Sequence, residues 1–477
     1  MPALFQSIGM RCAARLARHC HARMNSRPQT TPASVPGQPR PVLGRREAFA
    51  ITIGIVIGAG IFRTPSLVAG AAPGELAMLM AWVVGGLLSV VGALCYAELA
   101  AAYPEAGGDY AYLRRAYGSR PAFLYAWARL TVIQTGSIVL LSYVVGDYMR
   151  QILDLGPWSS SIYAAATVVL LTTCNWLGVR QGTGLQNALT VVEVLGLCMV
   201  IAAGLLFAPD ATAVPAPADA GGGSLGLVLV FVLLTYGGWN EAVYLTSEVR
   251  DARRWMPRIL TLSLIVIAAL YVLVNLAYLR VLGMGGMAAS DAVAADMMRA
   301  VFGGKGATLM SAIVVVAALT SANATMITGA RSVYAVGRDF RALSAIGRWD
   351  DRNGSPRAAM LVQGGLSLAL VGLAATALDG FRLAVEYTAP VFWLFFLLVG
   401  VSLFVLRRRE PAVPRPFRVP LYPAVPLLFC ATSAYLLYSS LAYTGFGALV
   451  GVAVLALGGL LLLFLEPSHP PQRESSP

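Results

Sequence analysis

Residues Glu47 to Gly70 read EAFAITIGIVIGAGIFRTPSLVAG, and this stretch decides the fold. It is apolar and long enough to enter a lipid bilayer, but a Gly-Ala-Gly sequence interrupts it near the middle. Each glycine lowers helix stability by about 1 kcal/mol relative to alanine, and the interruption leaves backbone N–H and C=O groups unpaired. Inside a membrane, such groups are tolerated only where they line a cavity or meet a ligand. The stretch therefore predicts a binding site made of backbone, at Ile57, Gly58, Ala59, Gly60 and Ile61.

The composition is that of an integral membrane protein. The chain has 477 residues, of which 57% are hydrophobic and 12% charged, and the charged share is about half that of a typical soluble protein. The net charge of +12 does not indicate that the protein binds nucleic acid, because the arginines lie in short loops between apolar runs and do not form one basic surface. The six cysteines form no CxxC motif or Cys/His cluster, so no metal or other cofactor is predicted. The three histidines lie outside the apolar runs, which argues against an enzyme.

Apolar runs of about 20 residues each predict twelve membrane spans. The predicted ranges are 46–70, 76–99, 121–150, 160–178, 185–208, 225–249, 258–281, 306–334, 358–378, 382–406, 420–439 and 443–465. Most arginines fall on one side of this arrangement, and the other side carries only Arg150, Arg280, Arg299, Lys305 and Arg382. The bias predicts a multi-pass protein of the cell (plasma) membrane with both termini in the cytoplasm.

The predicted domain limits follow from the spans. Residues 44–466 form the transmembrane domain, and we interpret residues 1–43 and 467–477 as disordered tails. The N-terminal tail is rich in arginine and has no acidic residue before position 41, a composition also found in transit peptides. Met24 is an alternative start to Met1, and the sequence leaves this choice open.

A second interruption lies in the sixth span, FVLLTYGGWNEAVYLTSEVRD, from Phe231 to Asp251. It falls five spans after the first, and an odd offset inverts the orientation of the segment. Two interrupted segments at matching positions of inverted units are typical of the binding site of a secondary transporter. We therefore predict two inverted repeats, 44–208 and 225–406, followed by two extra helices in 420–465. The alternative is two unrelated glycine kinks. The predicted site residues on this span are Leu234, Thr235, Tyr236, Gly237, Gly238 and Trp239.

Each interruption leaves two helix ends of opposite polarity, one with free carbonyl groups and one with free N–H groups. The N–H groups of Gly60, Ile61 and Phe62 open the second half-helix, and a carboxylate suits such groups. An ammonium group suits the carbonyl groups that end the preceding half-helices, at residues 55–57 and 234–236. Both poles together favour an α-amino acid as the ligand, and glycine allows it to approach the backbone closely.

Several motifs resemble those of the amino acid–polyamine–organocation (APC) transporters, specifically the L-type-like amino acid permeases. The matching stretches are IGAGIF (57–62), YAELAAAYPEAGGDYAYLRRAYG (96–118), YGGWNEAVYLTSEVRD (236–251), SANATMITGARSVYAVGRD (321–339), NGSPRAAMLVQG (353–364) and FVLRRREPAVPRPFRVPLYP (404–423). The resemblance covers nearly all of residues 44–466. It implies an all-α, leucine-transporter-like fold with twelve transmembrane helices, broken helices 1 and 6, and substrate binding at both breaks.

The chain departs from the family pattern at three points. Relatives often have a large aromatic gate at the position of Leu234, and Tyr236 or Trp239 could replace it. Where family members commonly carry a lysine linked to proton coupling, this chain has Glu193. Partner-linked members have a cysteine between spans three and four, but residues 151–161 contain none, so no disulfide-linked heavy chain is expected. The oligomeric state, including a homodimer, is left open.

Ionisable side chains within the spans are costly and need a reason. We consider either a structural pair between Glu193 and Arg129 or a Glu193 that titrates or holds a cation during transport. Glu241 either caps the second half of span six or faces the site and favours a cationic substrate. Arg63 is either a gate or substrate contact or a structural, snorkelling side chain. Asn323, on span eight, either contacts the substrate or an ion or serves helix packing.

Carboxylates at the cytoplasmic boundaries have a simpler interpretation. We expect them to pair with nearby arginines in the loops or at the gate. They are Glu98, Glu105, Asp109 and Glu248.

These features predict a secondary transporter that moves amino acids, by proton-coupled symport or by exchange. Its predicted partners are the amino acid and the lipid bilayer. The alternative within transport is a polyamine or organic-cation carrier, which would use Glu241 and Glu193. A non-transporting amino acid sensor is the alternative from another class.

Overall fold

The structure is a computed structural model that describes residues 44–104, 107–178, 183–207, 224–243, 246, 249–339, 344–348, 350, 356–377, 379–443 and 445–463. Every secondary-structure element in these ranges is a helix, which confirms an all-α protein. The helices are α1 (Arg45–Ile57), α2 (Thr64–Ala71), α3 (Glu75–Ala102), α4 (Asp109–Tyr117), α5 (Ser119–Ala128), α6 (Gln134–Arg150), α7 (Ser159–Trp176), α8 (Thr183–Leu206), α9 (Leu225–Thr235), α10 (Trp239–Ala242), α11 (Ala252–Ala288), α12 (Val293–Asp339), α13 (Arg357–Ala374), α14 (Gly380–Arg409), α15 (Ala424–Tyr443) and α16 (Phe446–Leu461).

The described part of the chain contains nine helical segments long and apolar enough to cross a membrane, or ten if the bent pair around Gly58 is one span. The protein is therefore an integral membrane protein with several crossings. Helices α7 and α16 also overlap predicted spans, but α16 is shorter and α7 is not among the nine. The count of twelve spans thus remains a prediction.

Two helices extend well beyond the apolar runs from which they were predicted. Helix α11 begins at Ala252 and ends at Ala288, and its backbone turns at Gly283, where φ is 65°. Helix α12 begins at Val293 and turns at Gly303, where φ is 71°. Hydropathy locates the apolar part of a helix, whereas the helix itself continues as far as its backbone hydrogen bonds do.

The sixth predicted span is shorter as a helix than the sequence indicated. The prediction ran to residue 249, but α10 ends at Ala242. Residues 244–245 and 247–248, which complete the predicted span, lie outside the described residues.

The two interrupted helices lie side by side and run in opposite directions. Helix α9 packs against α2, and helix α10 packs against α1, so the first half of one segment meets the second half of the other. Helix α11 packs against α1 and α2, and α3 contacts α9 and α10. The turn after Gly58 is covered by α6 and α12. The interruptions are therefore enclosed by the rest of the bundle.

Candidate functional site

The first break occurs where the sequence predicted it. Helix α1 ends at Ile57 because Gly58 adopts φ 44° and ψ 177°, a conformation that is essentially restricted to glycine. A short 3₁₀ turn, Ala59–Phe62, follows, and the chain axis bends by 55°. The second half-helix begins at Thr64, three residues later than the expected start near Ile61, because this turn precedes the regular helix, and Pro65 lies in the first turn of that helix. Ile57, Ala59 and Ile61 are all buried.

The second break is made by Gly238, which has φ 95° and ψ −24° in the left-handed region. Before it, the N–H group of Gly237 donates to the carbonyl of Leu234 at 3.0 Å, which tightens the end of α9. After it, the N–H group of Glu241 donates to the carbonyl of Gly238 at 2.9 Å. Gly238 therefore ends one helix and starts the next, as the Gly-Gly pair indicated.

The two breaks are in contact. A Cβ atom added to Gly60 would lie 3.5 Å from Cγ2 of Thr235, so the first break faces the end of α9. A Cβ atom added to Gly238 would lie 2.9 Å from the carbonyl oxygen of Ile55, which leaves no space for a side chain. The glycines thus allow two backbone segments to approach each other. Tertiary structure brings Gly60, Thr235 and Gly238 into one site.

Tyr271, on α11, joins the two breaks, and the sequence analysis missed it. Its hydroxyl group lies 2.7 Å from the carbonyl oxygen of Ile57, 3.1 Å from that of Val56 and 3.5 Å from that of Thr235. The side chain is fully buried. Three of the carbonyl groups predicted to receive an ammonium group therefore already contact a protein donor. A carbonyl oxygen has two lone pairs, so each can still accept a second hydrogen bond.

Arg63 lies in an acidic cluster just after the first break. Its guanidinium group is 2.9 Å from Asp291, 2.9 Å from Asp379 and 3.3 Å from Asp147. The arginine side chain is only 5% exposed, and it also donates to Ser66 Oγ and the carbonyl of Ser290. Arg63 therefore ties α2 to the end of α6, the α11–α12 connection and the start of α14. The buried, multiply paired guanidinium group argues against a snorkelling side chain, and a role as a gate or substrate contact remains a prediction.

Arg129 pairs with Glu241 and not with Glu193, so the alternative of a structural Arg129–Glu193 pair is wrong. Its two terminal nitrogen atoms lie 2.8 and 2.6 Å from the two carboxylate oxygen atoms of Glu241. Arg129 begins a π-helical turn, Arg129–Ile133, between α5 and α6. Such a turn shifts the helical register, which apolar periodicity does not reveal. Within this turn, the carbonyl of Thr131 accepts from the Tyr387 hydroxyl at 2.8 Å.

Asp109 approaches the same arginine from the other side. It lies on α4, outside the membrane-spanning segments, and is 2% exposed. The Tyr125 hydroxyl donates to its Oδ2 atom at 3.0 Å, and Arg129 in turn donates to the Tyr125 hydroxyl at 3.4 Å. Burial raises the pKa of Asp109 to about 6, although the positive charge of Arg129 opposes the shift. The expected partnership of Asp109 with an arginine is thus mediated by Tyr125.

The other boundary carboxylates have different outcomes. Glu98 is 2% exposed and forms ion pairs with Arg407, by a short contact, and with Arg415 at 3.7 Å. It also accepts from the N–H group of Val419 at 2.7 Å. The expected pairing with arginine is confirmed for Glu98. Glu105 and Glu248 lie outside the described residues.

Glu193 is buried beside the first break. It is 3% exposed, and its Oε1 atom has no hydrogen-bond partner among the described residues. Its helix, α8, packs against α1 and α11, and Tyr271 on α11 contacts the carbonyl of Ile57. One turn earlier on α8, Thr190 packs against α1, since a Cβ atom on Gly54 would lie 2.5 Å from Thr190 Oγ1. The structure thus removes the proposed arginine partner and leaves the titrating or cation-holding alternative.

Comparison with known proteins supplies the family. The sequence model described as "Amino acid permease" matches residues 43–462. The chain belongs to the amino acid permease family. The permease is therefore a membrane transporter and not an enzyme, and the resemblance stated from its motifs is confirmed.

Named relatives are similar over most of their length. The human b(0,+)-type amino acid transporter 1 is 28% identical over 436 residues, which cover 89% of this permease and 87% of the relative. The mouse large neutral amino acids transporter small subunit 2 is 29% identical over 433 residues, covering 87% and 80%. Both relatives are amino acid transporters by name.

The aromatic residues that could have replaced the family's gate point elsewhere in this permease. The Tyr236 hydroxyl donates to the carbonyl of Trp82 at 2.9 Å, and its ring packs beside Tyr271. The Trp239 ring packs edge-on against Tyr96, with centroids 4.9 Å apart. Both side chains are buried, whereas Leu234 is only half-buried. The replacement of the aromatic gate by Tyr236 or Trp239 is therefore not supported.

Asn323 takes part in helix packing. Its Oδ1 atom accepts from Nδ2 of Asn175 at 2.7 Å and so links α12 to α7. It is 6% exposed. This contact supports the packing interpretation, and a direct contact of Asn323 with the substrate remains a prediction.

Proposed function

We propose that this permease carries α-amino acids by alternating access, with the substrate backbone bound between the two interrupted helices. The observation that carries the proposal is the antiparallel contact of the two breaks, in which Gly60 faces Thr235 and Gly238 faces Ile55. This arrangement brings carbonyl-terminated and N–H-terminated half-helices to one point, which matches the two charges of an amino acid backbone. The proposed contacts are Ile57 to Ile61, Leu234 to Trp239, and Asn323.

We further propose twelve spans with the first ten in two inverted repeats, 44–208 and 225–406, and helices eleven and twelve in 420–465. The antiparallel packing of the two interrupted segments supports this relation. The arginine bias supports cytoplasmic termini, and we propose the plasma membrane as the location.

Two ion-pair clusters are proposed as gates on opposite sides of the site. Arg63 follows the first break and would close the extracellular side through Asp147, Asp291 and Asp379. The Arg129–Glu241 pair joins α10 to the helix of span three and would close the cytoplasmic side. In alternating access one cluster must separate while the other stays closed, because both sides are never open together.

Glu193 is the proposed coupling residue. A buried carboxylate without a hydrogen-bond partner is unstable in a low-dielectric environment, so Glu193 should bind a proton or a cation in at least one state. We favour the proton, because Glu193 is buried with its Oε1 atom unpartnered among the described residues, on the helix α8 that packs against α1. Amino acid exchange without proton coupling is the alternative.

The substrate is proposed to be a neutral amino acid. One group of relatives is named as transporters of large neutral amino acids. In addition, a polyamine carrier would depend on Glu241, and this carboxylate is paired with Arg129. We propose that the permease has no disulfide-linked partner through the connection between α6 and α7, because residues 151–161 contain no cysteine. A homodimer is compatible with this proposal.

Transport assays in proteoliposomes test the proposal. Labelled amino acids should accumulate when the outside is acidified or when the vesicles contain unlabelled substrate. Glu193→Gln should abolish the stimulation by the pH gradient and retain exchange, whereas Glu75→Gln, at an exposed carboxyl group that begins α3, should behave as the wild type. An equal response of the wild type and Glu193→Gln to the gradient would refute the role of Glu193. If no amino acid is taken up and none is bound, transport itself is refuted.

A further inference from the structure

Glu241 is a partly exposed carboxylate that closely follows the second break. It follows Gly238 by three residues, about one helical turn, and its N–H group is bonded to the Gly238 carbonyl. Its side chain is 21% exposed, whereas that of Arg129 is 2% exposed. Gln134 Nε2 lies 3.5 Å from Glu241 Oε1. A carboxylate in this position, if unpaired, would attract any positive charge carried by a substrate side chain.

Arg129 removes that attraction. A bidentate arginine–carboxylate pair is the strongest ion pair that side chains form, and burial of the guanidinium group reduces screening by water. Asp109 and Tyr125 approach the arginine from α4 and α5, so Arg129 is held from both sides. Among the described residues, the charged and titratable groups facing Glu241 are therefore Arg129, with Tyr125 and Asp109 behind it.

We propose that Arg129 is a specificity-determining residue that cancels the charge of Glu241 and so restricts the permease to amino acids with neutral side chains. The proposal rests on the proposed function. Glu241 is then a latent cation site: once the guanidinium group is removed, the permease accepts amino acids with a positively charged side chain, such as lysine. The pair then has a role beyond holding two helices together.

Four variants separate charge cancellation from a structural role. Arg129→Gln should raise the ratio of lysine to leucine uptake, measured as kcat/KM, on the order of tenfold, the scale of a partly buried ion pair. Arg129→Lys keeps the charge and should retain the wild-type ratio. Arg129→Gln combined with Glu241→Gln should lose the gain, because no carboxylate remains. Glu241→Gln alone should show no gain in lysine uptake. A merely structural pair would lower uptake of both substrates in parallel and leave the ratio unchanged.

Arg129→His keeps the test valid if the glutamine variant does not fold. A histidine is charged at pH 5.5 and neutral at pH 8. The lysine-to-leucine ratio should therefore rise with pH in Arg129→His and not in Arg129→Lys. A folded, leucine-transporting variant whose ratio stays within twofold of the wild type overturns the inference. Absence of uptake by the wild type would refute the proposed function instead, so the two failures are distinguishable.

Discussion

The hydroxyl group of Tyr271 lies 2.7 Å from the carbonyl oxygen of Ile57, the last residue of the first half-helix. This contact satisfies a backbone group that Gly58 leaves without a helical partner. The same hydroxyl is 3.5 Å from the carbonyl of Thr235, at the end of the other half-helix. One side chain on α11 therefore stabilises both breaks.

Tyr271→Phe should destabilise the first break. Loss of the donor leaves a buried carbonyl unsatisfied, which costs about 1–3 kcal/mol, and amino acid affinity should fall with it. Tyr278→Phe is the matched control, because Tyr278 is equally buried on the same helix and its hydroxyl has no hydrogen-bond partner among the described residues. Thermal unfolding in detergent and substrate-binding titrations measure both effects. Equal losses in the two variants would contradict the role of Tyr271.

Gly58→Ala and Gly238→Ala should each abolish transport and lower stability. Alanine at Gly58 is forced into a backbone conformation that costs about 1–3 kcal/mol, and at Gly238 its Cβ would also lie 2.9 Å from the Ile55 carbonyl. Gly365→Ala, in α13, is the control: no atom lies within 4 Å of the added Cβ, so stability should be unchanged or rise by up to about 1 kcal/mol. Uptake and unfolding temperature are measured together. Transport by Gly238→Ala at the wild-type rate would contradict the close approach of the two breaks.

Arg63→Gln should be strongly destabilising. It leaves three aspartates without their shared cation, and removal of one partner of a buried ion pair costs about 3–5 kcal/mol. Adding Asp147→Asn should recover part of the loss, because it removes one uncompensated charge. Arg150→Gln provides the control, since both side chains of its pair with Asp154 are exposed, at 44% and 56%, and such a pair is worth about 0–1 kcal/mol. The prediction is contradicted if both arginine variants unfold at the same temperature.

Asp109→Asn should make stability less dependent on pH. The pKa of Asp109 is about 6 in the folded protein against an ordinary value of 3.8, so the folded state holds this proton more tightly than the unfolded state. The wild type therefore loses stability as the pH rises from about 4 to 6, by about 3 kcal/mol at most, and about 1 kcal/mol of this falls between pH 5 and 7.5. The asparagine variant lacks this loss.

Unfolding temperatures at pH 5 and 7.5 measure the difference. Asp154→Asn is a control, because hydrogen bonds from Ser159 and Gly156 lower the pKa of this exposed carboxyl group and keep it ionised at both values. A wild-type protein and an Asp109→Asn variant that respond alike to pH would show that Asp109 does not titrate in this range.

Local backbone chemistry explains why both breaks were predictable. Gly58 and Gly238 interrupt apolar runs, and glycine in such a run is readable without knowledge of the partner helix. The second half-helix nevertheless begins at Thr64 rather than near Ile61, because a 3₁₀ turn follows Gly58. Helix ends depend on such local hydrogen bonds, which composition does not specify.

The ion pairs could not be predicted in the same way. Glu193 and Arg129 were matched by their estimated depth in two spans, but the π-helical turn at Arg129 and the packing of α10 direct the guanidinium group towards Glu241. Tyr271 gave no signal at all, since a tyrosine in an apolar helix is usually a packing residue. Its contact with Ile57 depends on how α11 crosses α1.

The sequence by itself determined the class of protein, the position of both breaks and the family, because hydropathy, glycine content and contiguous motifs are local properties of the chain. Only the tertiary structure decided that Gly60 meets Thr235, that Tyr271 spans both breaks and that Arg129 neutralises Glu241. These relationships join residues up to 215 positions apart. They arise from the packing of whole helices, which fixes the direction of each buried polar side chain through the partner that satisfies it.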